Sequence, residues 1–181
     1  MPICSSIQPG IIIIEDNLRL CRINRERWVE AIPWYQNPKI MYYSEGKPDS
    51  IYDIDDIDRM YSYLSRIGEL YFIEVIEDND WIAIGDVTLA ESNMPIVLGD
   101  ERYWGLGIGK KVISRLLERA VEIGLSSISI PEIYHYNSRS RNLFKTLGFR
   151  KVSENITSEC YSNDSEYPGT YTLTHHTALP F

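Results

Sequence analysis

The chain lacks the residues that would make a disulfide-framed, zinc-bound or membrane-spanning protein. Among 181 residues there are three cysteines, Cys4, Cys21 and Cys160. An odd number at scattered positions gives no disulfide framework and no zinc spacing, and reads as reduced thiols in a cytosolic protein. The aliphatic run Ile11 to Ile14 is too short for a signal core or a membrane span. Basic residues are few: 18 Lys and Arg against 26 Asp and Glu, a net charge of −8. That balance argues against general nucleic-acid binding and favours solubility. The three histidines (His135, His175 and His176) form no ligand pattern, and an adjacent pair on a strand points to opposite faces, so no metal is expected. Neither an internal repeat nor a low-complexity linker divides the chain. With 44% hydrophobic residues, 1–181 reads as a single domain with a proper core.

What is present is organised around Trp104-Gly105-Leu106-Gly107-Ile108-Gly109-Lys110-Lys111. Three glycines alternate there, and Val112, Ile113, Leu116, Leu117, Ala120, Val121 and Ile123 follow at helical spacing. Gly124 marks the helix end, and Met94 to Gly99 upstream reads as a short buried strand. Strand, glycine loop and helix in that order make an anion pocket. The first helical turn offers unpaired N–H groups and the positive end of the dipole, and glycine removes the side chains that would obstruct them. A Walker loop requires Ser or Thr after Gly109-Lys110, where Lys111 stands. A dinucleotide fingerprint requires a different glycine spacing and an acidic residue about 20 positions on.

Beyond Gly124, residues 126–133 read as a strand, and Asn137-Ser138-Arg139-Ser140-Arg141-Asn142-Leu143-Phe144-Lys145-Thr146-Leu147-Gly148-Phe149 follows. The two stretches together resemble the GNAT superfamily of acyl-CoA-dependent N-acyltransferases. Trp104 to Gly109 lies on its Gln/Arg-x-x-Gly-x-Gly/Ala signature. Asn137, Ser140, Leu143, Phe144, Gly148 and Phe149 lie on its Asn-x-x-Ser and Gly-Phe signature. Tyr103-Trp104-Gly105 is most similar to the branch holding ribosomal-protein N-terminal and aminoglycoside 6'-N-acetyltransferases. The resemblance implies an α/β (α+β) domain. Its central sheet would be mixed, mostly antiparallel and twisted, with helices on both faces and two central strands splayed to admit a cofactor.

In chain order, Ile11–Glu15 and Leu18–Ile23 read as a hairpin through Asp16-Asn17. Asn24 is expected to cap a helix over 25–32 that Pro33 stops. Ile54 to Ile67 has helical periodicity, with Asp53, Asp55 and Asp56 at its positive end. Leu70–Ile76 and Trp81–Leu89 read as a second hairpin. Lys151–Thr157 and Thr170–Thr174 read as two last strands, with a polar loop over Ser162–Gly169.

The resemblance also implies the chemistry, attack of an amine on the acetyl-CoA thioester with no covalent enzyme intermediate. Such a reaction needs a held CoA, a neutral amine, an oxyanion donor and a proton for the leaving thiolate. Backbone N–H groups of Leu106, Gly107, Ile108, Gly109, Lys110 and Lys111 would hold the pyrophosphate. Leu98 and Gly99 would pair with the pantetheine and supply the oxyanion donors, and Asn137 and Phe144 would meet the cofactor. Where many relatives carry a thiolate-protonating tyrosine this chain has Phe144, so Ser140 takes that place, with Tyr134 and Tyr136 nearby in sequence. Glu132 is the expected base or acceptor-orienting carboxylate. Trp34, Tyr35, Asp86 and Glu132 would line the acceptor site, and Tyr42 and Tyr43 share that aromatic segment. The acidic balance suits a small cationic or aminoglycoside-like amine slightly better than a protein N-terminus. A non-catalytic CoA-binding module is the alternative, favoured by Phe144, and a plain ATP- or NAD-binding domain is disfavoured by the loop spacing. Either a monomer or a homodimer is compatible with the sequence.

Overall fold

The structure is a computed structural model that describes residues 7–163. Strands β1 (Ile11–Glu15) and β2 (Leu18–Arg22) form the expected hairpin. A 3-10 turn over Arg25–Ala31 runs into α1 (Ile32–Tyr35), and α2 (Pro38–Glu45) follows. Two expectations fail here. Pro33 does not stop a helix but sits in the first turn of α1, where its missing N–H has no partner to lose. Asn24 makes no side-chain cap, whereas Asn37 does, accepting the Lys39 N–H at 2.9 Å. Helix α3 (Ile54–Ile67) begins in a capping box between Asp53 and Asp56, so that part of the acidic cluster is helix-end chemistry.

Strands β3 (Glu69–Glu77) and β4 (Asp80–Leu89) turn on Asp78 and Asn79, both in the left-handed region at φ 50° and 68°, as a tight hairpin requires. Then come β5 (Ile96–Leu98), α4 (Ile108–Glu122), β6 (Ser129–Tyr134), α5 (Ser138–Thr146), β7 (Arg150–Glu154) and β8 (Ser158–Ser162). Every ladder between these strands is antiparallel. Among the described residues the strands fall into two sheets, β1-β2-β3-β4-β5 and β6-β8-β7, with no ladder between β5 and β6. That break is the splay of the central strands.

Strand β3 is buried on both faces and alternates between two cores. Tyr71, Ile73 and Val75 pack with Val112, Ile113 and Leu116 of α4. Leu70 and Phe72 pack with Tyr35, Ile57 and Tyr61 from the helices of the other face. Among the described residues no helix is long and apolar enough to cross a membrane.

Strand β8 overturns the expectation at the C-terminal end. β7 stops at Glu154, and Asn155 accepts the Thr157 and Ser158 N–H groups, both at 2.8 Å, to turn the chain back. Ser162 therefore ends a strand rather than opening a loop. Residues 164–169 of that loop, the strand expected over Thr170–Thr174, His175, His176 and Cys4 lie outside the described residues.

Candidate active site

A cavity of about 500 Å³ lies among β5, the glycine loop, α2 and α5. Its floor is the first turn of α4. Gly105 and Gly107 have φ of 78° and 79°, a conformation side chains resist, yet a Cβ at either would meet nothing within 4 Å. Conformation rather than crowding explains these two glycines. The first N–H of α4 to find an intrahelical acceptor is that of Lys111, bonded to the Gly107 carbonyl at 3.2 Å. Among the described residues the N–H groups of Ile108, Gly109 and Lys110 are thus without a backbone acceptor, and Gly107, Gly109 and Lys110 line the cavity.

One wall is β5. Gly99 donates its N–H to the Ile84 carbonyl at 2.8 Å and Thr88 donates to Pro95 at 3.1 Å. Antiparallel alternation then turns the Leu98 N–H away from β4, to the open edge. The Leu98 carbonyl accepts the Trp104 indole N–H at 2.8 Å, which ties the glycine loop to the strand. The facing wall is α5, which presents Asn137, Arg139, Ser140, Asn142, Leu143 and Thr146. Lys110 and Arg139 give the cavity its positive charge, and the Arg139 guanidinium lies 4.7 Å from the Trp104 ring centre.

Helix α2 closes the remaining side. Three carbonyls of its C-terminal half are held from across the break: Tyr136 Oη donates to Tyr42 at 2.6 Å, Asn137 Nδ2 to Tyr43 at 3.1 Å, and Tyr134 Oη to Glu45 at 3.0 Å. The rings of Tyr42 and Tyr136 stack with centres 4.2 Å apart. Burial, then the charges of Glu132 and Glu45, push the Tyr134 hydroxyl up from its ordinary value.

The expected site residues divide sharply. Leu98, Gly107, Gly109, Lys110, Asn137 and Ser140 line the cavity. Nine others do not. Leu106 is exposed and Ile108 packs in the core. Lys111 pairs with Glu15 at 2.8 Å, its N–H already bonded within the helix. Gly99 cannot be an oxyanion donor, because its N–H is committed to Ile84 and the Trp34 ring covers it. Phe144 is buried edge-on to Phe149. Glu132 is exposed on β6 and accepts the Ser158 hydroxyl at 3.1 Å.

Trp34, Tyr35 and Asp86 lie behind the cavity wall, not in it. Trp34 packs edge-on against Phe72, and Tyr35 Oη donates to Asp86 Oδ2 at 3.0 Å. Tyr61 Oη donates to the same oxygen at 2.8 Å, and Asp86 stands in register with Val97 of the wall. Desolvation by complete burial pushes the Asp86 carboxyl up to about 7, against the pull of the two hydroxyls. Ile40, Tyr43 and Ser44 of α2, with Arg139 and Asn142 of α5, complete the lining. For α5 the signal was present: 139, 142, 143 and 146 share a face with Asn137's neighbour Ser140 at helical spacing.

A second polar cluster joins His135, Glu154 and Glu159, whose ligating atoms lie within 4.8 Å of one another. Lys151 bonds Glu154 at 2.8 Å, and Arg141 approaches Glu159 at 3.4 Å. The hydrogen bond from Tyr161, more than these charges, holds the Glu159 carboxyl below its ordinary value. The cluster is a charge-matched brace between the β6–α5 turn and the last two strands.

The acetyltransferase (GNAT) family model matches residues 28–149, which span the glycine loop, α4, β6 and α5. The chain belongs to this GNAT family. No protein of curated function matches it in sequence. Solved GNAT structures match its fold. The microcin C7 self-immunity acetyltransferase MccE, in complex with acetyl-CoA and AMP, shares 18% identity over 85% of this chain and 96% of its own, with a TM-score of 0.66. Spermidine N-acetyltransferase from Vibrio cholerae, in complex with CoA and spermine, shares 18% over 82% and 94%, with a TM-score of 0.63. RimL, the ribosomal L7/L12 α-N-protein acetyltransferase in complex with CoA, shares 14% over 84% and 96%, with a TM-score of 0.64.

Proposed function

We propose that this GNAT chain transfers an acetyl group from acetyl-CoA to an amine by direct attack on the thioester. The observation that carries the reading is the cavity among β5, the glycine loop, α2 and α5. Its floor is a helix N-terminus with three N–H groups that have no backbone acceptor among the described residues, and its wall is a strand edge whose Leu98 N–H is unopposed by β4. The first suits a pyrophosphate, and the second suits the amide-bearing pantetheine arm and the thioester oxygen. The net charge of −8 supports a small cationic amine as acceptor. A soluble, cytosolic enzyme acting as monomer or homodimer is the accompanying reading, with the whole chain as one domain.

Thermal denaturation with acetyl-CoA, CoA, ATP and NAD tests the cofactor. A ligand that binds the folded state adds about 2.7 kcal/mol of stability at a hundredfold excess over its Kd. Acetyl-CoA and CoA should raise the melting temperature, and ATP and NAD should not. Free-thiol release over a panel of amines then tests transfer. The burial of Phe144, which leaves the usual tyrosine position without a hydroxyl, favours a second reading, a CoA-binding module without turnover. That reading predicts the same melting shift and no thiol release with any amine.

Lys110→Ala should weaken acetyl-CoA binding by about 1 kcal/mol, roughly fivefold, since its charge lies at the cavity near the helix N-terminus. Lys111→Ala, removing a lysine engaged with Glu15, should change the affinity less than about twofold. Titration calorimetry on both variants reads the difference, and equal losses would place the anion outside the cavity.

A further inference from the structure

The transfer reaction needs an acid for the departing thiolate, and this chain has no tyrosine at the place its family resemblance points to. We propose that Tyr43 of α2 is that acid, an assignment that rests on the transferase reading above.

The cavity itself narrows the choice. Four side chains with hydroxyl groups line it: Tyr43, Ser44, Ser140 and Thr146. Ser44 Oγ donates back to the Ile40 carbonyl at 2.9 Å, and Thr146 Oγ1 donates to Leu143 at 2.8 Å, so both protons are committed within their own helices. The hydroxyls of Tyr43 and Ser140 make no hydrogen bond among the described residues. Between these two, chemistry decides. Phenols as a class ionise near 10 and thiols near 8.5, close enough for proton transfer between them. An aliphatic alcohol ionises far higher, so a serine stabilises a thiolate by hydrogen bonding but gives up its proton poorly. The Brønsted match therefore favours the phenol.

Tyr43 is also held in place. Its carbonyl accepts from Asn137 Nδ2, and its ring meets Trp104 edge-on with centres 6.1 Å apart. The Arg139 guanidinium lies 5.7 Å from the ring centre. Every one of these contacts fixes the ring or the backbone, and none engages the hydroxyl.

The step balances without a further reactant. The amine nitrogen forms a bond to the thioester carbon, the carbon–sulfur bond breaks, and its electron pair stays on sulfur. The Tyr43 proton passes to that sulfur to give free CoA thiol. The phenolate then takes up, through solvent, the proton that the amine nitrogen loses.

Tyr43→Phe is the test, read as the single-turnover rate of thiol release under saturating acetyl-CoA and amine. The rate should fall about 100-fold, its solvent deuterium isotope effect should fall towards unity, and the Kd for acetyl-CoA should stay within about twofold. Its melting temperature reports folding, which the unbonded hydroxyl should not affect. Ser140→Ala should slow the same step far less. A Tyr43→Phe enzyme within about threefold of the wild-type rate, or a larger loss in Ser140→Ala, overturns the assignment and leaves the transferase reading intact. A wild-type protein that binds acetyl-CoA and releases no thiol with any amine overturns both.

Discussion

Substituting Gly85 by alanine is expected to push β5 off β4 and to abolish cofactor binding together with about 3 kcal/mol or more of stability. Gly85 and Leu98 are directly paired, and the two backbones approach so closely that a Cβ on Gly85 would lie 2.1 Å from the Val97 carbonyl oxygen and 3.0 Å from the Leu98 Cα. Neither obstacle is a flexible side chain that can swing aside. Relief requires β5 itself to move, and β5 carries Ile96, Val97 and Leu98 of the cavity wall. Urea denaturation should show the lost stability, and the melting shift with acetyl-CoA should disappear. A variant with wild-type midpoint and shift would mean that β5 is free to slide on β4. The two loop glycines offer a contrast. Alanine at 107 meets no atom within 4 Å and carries only the left-handed backbone strain, about 1 kcal/mol.

The second large effect is a pH dependence centred on Asp86. Three carboxylates are buried in the five-stranded sheet. Glu69 pairs with Arg119 and Glu74 with Arg19 and Arg27, while Asp86 has hydroxyl donors and no cation among the described residues. Desolvation raises its carboxyl from 3.8 to about 7. The native state therefore keeps a proton through a range in which the unfolded chain has released it. Stability from this group is complete below about pH 4, falls as pH rises through that interval, and stops falling above about pH 7. Asp86→Asn removes the titration while keeping an oxygen to accept from Tyr35 and Tyr61. The stability advantage of Asp86→Asn over wild type should therefore grow by roughly 2.5 kcal/mol between pH 5 and pH 8. Urea midpoints of both proteins at the two pH values measure it. An advantage that does not change with pH would mean that Asp86 is ionised throughout.

These cases show where the sequence could be read and where it could not. Helices α3 and α4 and the β3–β4 hairpin were legible because one buried face imposes its own period on the residues. The glycine loop was legible because few backbones need glycine at alternate positions. Depth was not legible. Trp34, Tyr35 and Asp86 are expected at the acceptor site, but tertiary packing, which the sequence does not display, buries them behind Val97. Hydrogen-bond commitment was equally hidden. Nothing in the order of residues says that the Gly99 N–H turns to Ile84 while the Leu98 N–H turns outward, since a single register sets both. Strand β8 was missed because its turn rests on the side chain of one asparagine, Asn155, inside a polar stretch.

The bond between the Trp104 indole and the Leu98 carbonyl turns the site into a calliper. On the transferase reading proposed above, one jaw is the helix end offered to a diphosphate, the other is the strand position offered to the thioester carbonyl, and the indole bond links the two. Donors are then selected by the length of the arm joining their two ends. A truncated thioester without the nucleotide would fill one jaw only, and its acyl group would arrive without the alignment that the far jaw imposes.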